Sequence, residues 1–167
     1  MTTRCPMIYV IDDDVSVCRA LSLLLKAHGF KVETFTRAKD FLALKHSKGS
    51  SCLVLDIRLP DISGIDLQEA LLAQQMYIPI VFITGHGSIP MSVKAMKGGA
   101  IDFLPKPFTD KELLEAIDRA IAKNKIQNKK QGEIDKIQRR VKRLSPSELE
   151  VFRLVARGML NKQIALK

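Results

Sequence analysis

Residues 52–72 read CLVLDIRLPDISGIDLQEALL. An apolar run ends in a single carboxylate at Asp56 and gives way to a loop containing Pro60 and Gly64. Ile65, Leu67, Ala70, Leu71 and Leu72 then recur at helical spacing. The same unit repeats outward from this point in both directions. Other short β-branched or apolar runs lie at 7–11, 31–35, 80–84 and 101–104, and the segments between them carry helical periodicity, as in Val17, Leu21, Leu24 and Leu25. His28-Gly29 is expected to close the first of those helices, because a glycine just past the last apolar position can take the left-handed cap conformation. Regular alternation of strand and helix predicts an α/β fold, a doubly wound sheet of five parallel strands with helices on both faces.

A chain of 167 residues accommodates one domain of about 100 to 150 residues and an appendage. No apolar run approaches the roughly 20 residues of a membrane span, and the N-terminal apolar stretch stops at three aspartates, unlike a secretory signal. The expectation is a cytoplasmic protein with no membrane partner. Cys5, Cys18 and Cys52 are odd in number, widely spaced and without CxxC, so they are read as reduced thiols.

The charge is divided unevenly. Residues 1–120 carry 14 Lys and Arg against 14 Asp and Glu, whereas residues 121–167 carry 13 against 4, so the net charge of +9 sits entirely in the tail. A neutral globule joined to a basic segment points to an anionic partner for the tail, with nucleic acid the usual one.

Thr109 with Glu112 forms a helix-starting capping box, and Leu113, Leu114, Ile117, Ala120 and Ile121 make the buried stripe that ends the first domain at residue 122. Residues 123–143 read as a basic helical linker. The spacing of Ile134, Ile137, Val141 and Leu144 resembles a coiled-coil seam, which Gly132 interrupts. A new helix begins at Ser145-Pro146-Ser147-Glu148, with Ser145 as cap, and presents Leu149, Phe152, Leu154 and Val155 before Gly158. Another is expected from Asn161. Two helices, one of them incomplete, cannot enclose a core, so 144–167 is read as the first part of an all-α domain.

In an open α/β sheet, ligands bind beyond the carboxyl ends of the strands. Those ends carry Asp12-Asp13-Asp14, Asp56, Thr84 and Lys106. Clustered carboxylates repel unless a cation joins them, and hard oxygen ligands of this kind suit Mg²⁺. A threonine and a lysine opposite them would receive an incoming anion, so the set fits phosphoryl transfer with one carboxylate as nucleophile.

Asp12-Asp13, Asp56 within LVLDIRLPDISG, Thr84-Gly85-His86-Gly87 and Lys106-Pro107-Phe108 together resemble the CheY-like receiver family, a flavodoxin-like fold, over about residues 5–122. IVFITGHG and AMKGGAIDFLPKPF resemble its FixJ branch. The resemblance implies that Asp56 accepts a phosphoryl group from a sensor histidine kinase. It also implies that Asp13 holds Mg²⁺ directly, that Asp12 does so through water, and that Asp56 and the Arg58 carbonyl complete the metal site. Thr84 and Lys106 would grip the phosphoryl oxygens, Phe103 would be the switch aromatic coupled to Thr84, and Arg58 and His86 would modulate hydrolysis of the acyl phosphate. The Lys106-Pro107 peptide is expected to be cis. The stretch LSPSELEVFRLVARGMLNKQIA, 144–165, is similar to the opening of a LuxR-type helix-turn-helix domain. The family thereby implies a two-component response regulator, not an enzyme acting on separate substrates, that forms a homodimer on phosphorylation and binds DNA through a complete output domain.

Other readings stay open at this point. Asp12 and Asp13 could be an acidic helix cap, Asp14 and Ser16 are read as caps, Asp61 as a turn residue, and Gly64 as serving a backbone conformation that a side chain would oppose. A phosphate sink working through protein contacts alone is a second function, disfavoured by 144–167. A hydrolase resembling haloacid dehalogenases is a third; it requires an Asp where Arg58 stands.

Overall fold

The computed structural model describes residues 5–44 and 49–158. Five parallel strands, β1 (Met7–Ile11), β2 (Lys31–Phe35), β3 (Ser51–Asp56), β4 (Ile80–Thr84) and β5 (Asp102–Pro105), pair in the order β2-β1-β3-β4-β5. The helices between them are α1 (Val15–Ala27), α2 (Ala38–Leu42), α3 (Gly64–Ala73) and α4 (Ile89–Lys97), followed by α5 (Asp110–Val141) and α6 (Pro146–Ala156). The doubly wound five-stranded sheet is therefore present, with strand ends within a residue of those read from the sequence. Lys106-Pro107 is cis.

Alternation along the strands builds two cores. Ile8, Val10, Val54, Val81 and Ile83 face the layer of α1 and α5, where Leu25, Leu113 and Ile117 are buried. Tyr9, Ile11, Leu53, Leu55 and Phe82 face the opposite layer, with Phe41 of α2, Leu67 and Leu71 of α3 and Ala95 of α4. Strands β3 and β4 are buried throughout, as strands covered on both faces must be. Helix α3 buries five residues, whereas α4 buries only Ala95. A buried side-chain bond ties these two helices, Gln68 Nε2 donating to the Ala95 carbonyl at 3.1 Å.

Asp14 is the N-cap of α1 and accepts from the Ser16 amide at 2.7 Å, so of the two expected caps Asp14 alone takes that role and Ser16 lies inside the helix. Gly29 takes the left-handed conformation just beyond the His28 C-cap, as its position implied. Thr109 with Glu112 and Ser145 with Glu148 both close capping boxes. The helix expected from Asn161 lies outside the described residues.

The stretch read as a basic helical linker is helical, continuous with the helix before it, and the extent of the first compact unit differs from the sequence reading. Helix α5 runs without a break through residue 122 to Val141, because the Lys, Gln, Glu and Arg that fill this stretch are good helix formers and Gly132 alone does not end it. The first compact unit also reaches Asn128 rather than 122. Asn124 explains why: buried on α5, its Oδ1 accepts from the Ser51 amide at 3.0 Å, and Asn128 Nδ2 donates to the Gly49 carbonyl at 2.9 Å. The second unit, 129–167, contains the end of α5 and all of α6; no residue of α6 is buried.

Gly64 serves clearance, not an unusual dihedral. Its φ lies outside the left-handed region, and an added Cβ would stand 2.4 Å from the Asp56 carbonyl oxygen and 3.1 Å from Ile57 Cα. Gly64→Ala is expected to cost about 1–3 kcal/mol through this backbone clash, seen as a lower urea midpoint at unchanged slope. Gly132→Ala, where a Cβ meets nothing within 4 Å, should raise helix content without lowering the midpoint. Equal midpoints for Gly64→Ala and the parent chain would refute the clearance account.

Candidate functional site

The strand order reverses between β1 and β3. The chain leaves β1 toward β2 on one side and returns to build β3, β4 and β5 on the other. Register then sets the rim: Ile11 pairs with Leu55, Asp56 with Ile83, and Thr84 with Pro105. Asp12, Asp56, Thr84 and Lys106 thus emerge side by side from neighbouring strands, the place where ligands bind in open α/β sheets.

Asp12 is fully buried, Asp56 is buried and Asp13 is exposed, yet one carboxylate oxygen from each lies within 4.8 Å of the others. Asp12 divides its two oxygens. Oδ1 accepts from the Asp14 amide at 2.9 Å, and Oδ2 accepts from Lys106 Nζ at 2.6 Å. Lys106 Nζ stands 3.9 Å from Asp56 Oδ1, beyond hydrogen-bond range. Among the described residues, Asp56 Oδ1 is the one buried side-chain oxygen or nitrogen without a hydrogen-bond partner.

Burial pushes the Asp56 carboxyl upward, the Lys106 ammonium pulls it back, and the Asp12 charge raises it again; an amide bond from Ile57 lowers it and Asp13 raises it. The outcome lies above the ordinary value of 3.8. An orphaned buried oxygen beside two further carboxylates is what a hard divalent cation would satisfy, so the donor set fits Mg²⁺.

Thr84 is buried at the end of β4. Its Oγ1 accepts from the His86 amide at 3.2 Å, and its carbonyl accepts from the Lys106 amide at 2.7 Å. The second bond ties the β4 end to the backbone that carries the lysine. Phe103 is half-buried in β5, its ring centroid 6.4 Å from that of Phe82. The side chains of Arg58 and His86 are exposed on the two loops that flank the rim. The structure therefore brings Asp12, Asp13, Asp56 and Lys106 to one point and sets Thr84 on the adjoining strand.

Asp61 does more than make a turn. From the loop after β3 it crosses to α2, accepting from the Ala38 amide at 3.2 Å and the Lys39 amide at 2.9 Å, and so caps that helix from outside. An acidic residue beside Pro60 signals a turn, but nothing in the local sequence names a helix more than twenty residues earlier as its target.

Ionising Asp56 costs folding free energy in this setting. A carboxyl whose value is raised on folding contributes stability that is complete below the ordinary carboxylate value and is lost as pH climbs through the raised one. Without divalent cation, Asp56→Asn is therefore expected to be more stable than the parent at pH 7, with the advantage vanishing as pH falls below the ordinary carboxylate value of 3.8. Thermal melts across that range test it; an advantage independent of pH would contradict the charge origin.

Comparison with known proteins agrees with this geometry. The response regulator receiver domain family matches residues 8–118. Nodulation protein W of Bradyrhizobium diazoefficiens is 45% identical over 159 residues, covering 95% of this chain and 70% of that protein. The transcriptional regulatory protein FixJ of the same organism is 42% identical over 165 residues, covering 99% of this chain and 80% of FixJ. The solved structure of the response regulator StyR superposes with a TM-score of 0.83 at 47% identity, covering 96% of this chain and 81% of that one. Sheet order, rim carboxylates and sequence relatives lead to one conclusion, that this chain belongs to the response regulator receiver family.

Proposed function

We propose that Asp56 is the phosphoacceptor of a transcriptional response regulator, and the observation that carries this reading is its unpartnered, buried Oδ1 beside the Lys106 ammonium. A free carboxylate oxygen at the floor of a polar rim is positioned to be a nucleophile. It attacks the phosphorus of a phosphohistidine on a sensor kinase; the P–N bond breaks, the imidazole nitrogen keeps the electron pair, and an acyl phosphate forms on Asp56. Hydrolysis by water returns the carboxylate and inorganic phosphate. In both steps the chain acts on its own side chain, so it is a self-assisting phosphoacceptor and not an enzyme with a separate substrate.

Asp12, Asp13, Asp56 and the Arg58 carbonyl would hold Mg²⁺, which supplies charge neutralisation for the transferring group. Lys106 gives up part of its bond to Asp12 and turns to the new dianion. The Thr84 hydroxyl leaves the His86 amide for the same oxygens, and Phe103 responds to the space so created. Arg58 and His86, exposed on the two loops, meet incoming water and donors and set the lifetime of the acyl phosphate. Ile89, Val93 and Met96 are exposed at helical spacing on α4, which supports a homodimer on phosphorylation. The names of relatives such as FixJ, the basic tail and the LuxR-like start at 144 support DNA binding through a complete output domain.

Incubation with acetyl phosphate and Mg²⁺ is expected to add one phosphoryl group, labile to base, and Asp56→Asn to remove the labelling. Full labelling of Asp56→Asn would overturn the assignment. Beryllofluoride is expected to shift the chain from monomer to dimer in sedimentation. DNA affinity of these 167 residues should be weak, salt-sensitive and indifferent to sequence, as contacts from basic side chains of the tail to phosphates would make it. A marked preference for one duplex would contradict that.

A further inference from the structure

Gly87 stands between the two side chains of the proposed switch. A Cβ built at this position would lie 2.8 Å from Phe103 Cε1, 3.0 Å from Phe103 Cζ and 3.0 Å from Thr84 Cγ2. Its backbone is not left-handed, since the glycines with positive φ among the described residues are Gly29, Gly99 and Gly158. Conformational freedom therefore does not account for a glycine here, whereas clearance does. Gly85, two residues earlier in the same loop, would place a Cβ with nothing within 4 Å. Only one of the two glycines is pressed by neighbours, and its neighbours are Thr84 and Phe103.

Thr84 is held from both sides. Its hydroxyl accepts from the His86 amide at 3.2 Å, while its methyl borders the space over Gly87. The Phe103 ring borders the same space from β5. Any change in Thr84 that turns the hydroxyl toward a phosphoryl group also moves the methyl, and the ring is the mobile wall opposite. A residue with a side chain at 87 would fill the volume through which ring and methyl communicate.

The geometry points to Gly87 as a positioning residue for the phosphorylation switch, keeping open the volume in which Phe103 and Thr84 are coupled. This rests on the reading of Thr84 and Phe103 as the switch pair. A methyl at 87 displaces the ring, lowers the population that the phosphoryl group selects, and by reciprocity weakens binding of a phosphoryl mimic.

The test uses the full chain with ring-¹³C phenylalanine, the Phe103 resonances being assigned by their loss in Phe103→Leu. In the parent and in Gly85→Ala, Mg²⁺ with beryllofluoride should move the Phe103 signals. In Gly87→Ala these signals should already be displaced without the mimic and should move little with it. Half-saturation should then need about tenfold more beryllofluoride. In a Phe103→Ala background, where the Thr84 methyl alone still borders the added Cβ, Gly87→Ala should weaken binding much less than it does in the parent, whereas a lesion unconnected with the ring would weaken both alike. A parent in which Phe103 ignores beryllofluoride overturns the switch reading and this inference with it. A responsive parent with Gly87→Ala behaving like Gly85→Ala overturns this inference alone. Should Gly87→Ala lack a cooperative melt, the double variant Gly87→Ala, Phe103→Ala decides: a restored melt supports the clearance role, and continued loss overturns it.

Discussion

One ammonium group serves too many carboxylates at the rim of this sheet. Lys106 Nζ bonds Asp12 at 2.6 Å and reaches Asp56 at only 3.9 Å, while Asp13 adds its charge from solvent. Negative charge therefore exceeds positive charge at this point of the rim. A cation would relieve the excess, and on the proposed reading a new anion on Asp56 would compete with Asp12 for the lysine. The chemistry proposed for Asp56 follows from its being the weaker partner of Lys106.

The fold supplies this tension through topology. Parallel pairing of β1 with β3 aligns Ile11 with Leu55, so the residues that follow them are two carboxylates on adjacent strands. Apolar faces above and below keep water from screening Asp12 and Asp56, which strengthens the charge interaction between these two. The approach of Gly64 to the Asp56 carbonyl and the cap that Asp61 provides to α2 hold the loop after β3 in place. A loop held in this way is what the proposed coupling of Thr84 and Phe103 would require.

Much of this was legible in the sequence because it is periodic or repeated. The five strands, the capping boxes at Thr109 and Ser145, and the strand-end positions of Asp12, Asp56, Thr84 and Lys106 all follow from local pattern. What escaped is what depends on partners distant in the chain. Asp61 reads as a turn until α2 is placed beside it, and Asn124 reads as one more polar residue in a basic linker until the Ser51 amide is found against it. The glycines divide the same way. Gly29 is explained by its own dihedral, which a sequence can announce, whereas Gly64 is explained by an oxygen eight residues earlier that only the folded chain brings near. The boundary expected at residue 122 moved for the same reason, since the apolar stripe of α5 ends before its polar anchorage does.

Helix α4 has a thermodynamic character of its own. It buries one residue, Ala95, where α3 buries five, and its buried side-chain bond to the rest of the unit is the one from Gln68. Local opening free energy tracks how much apolar surface and how many protected hydrogen bonds an element would lose, so α4 sits near the bottom of the hierarchy of opening energies within the unit. Amide protons along Val93–Lys97 would accordingly exchange with deuterium well before those of β3 or α3. An element that loses so little on opening is one whose rearrangement is weakly opposed, and the sequence arranges this by giving α4 a single small core residue.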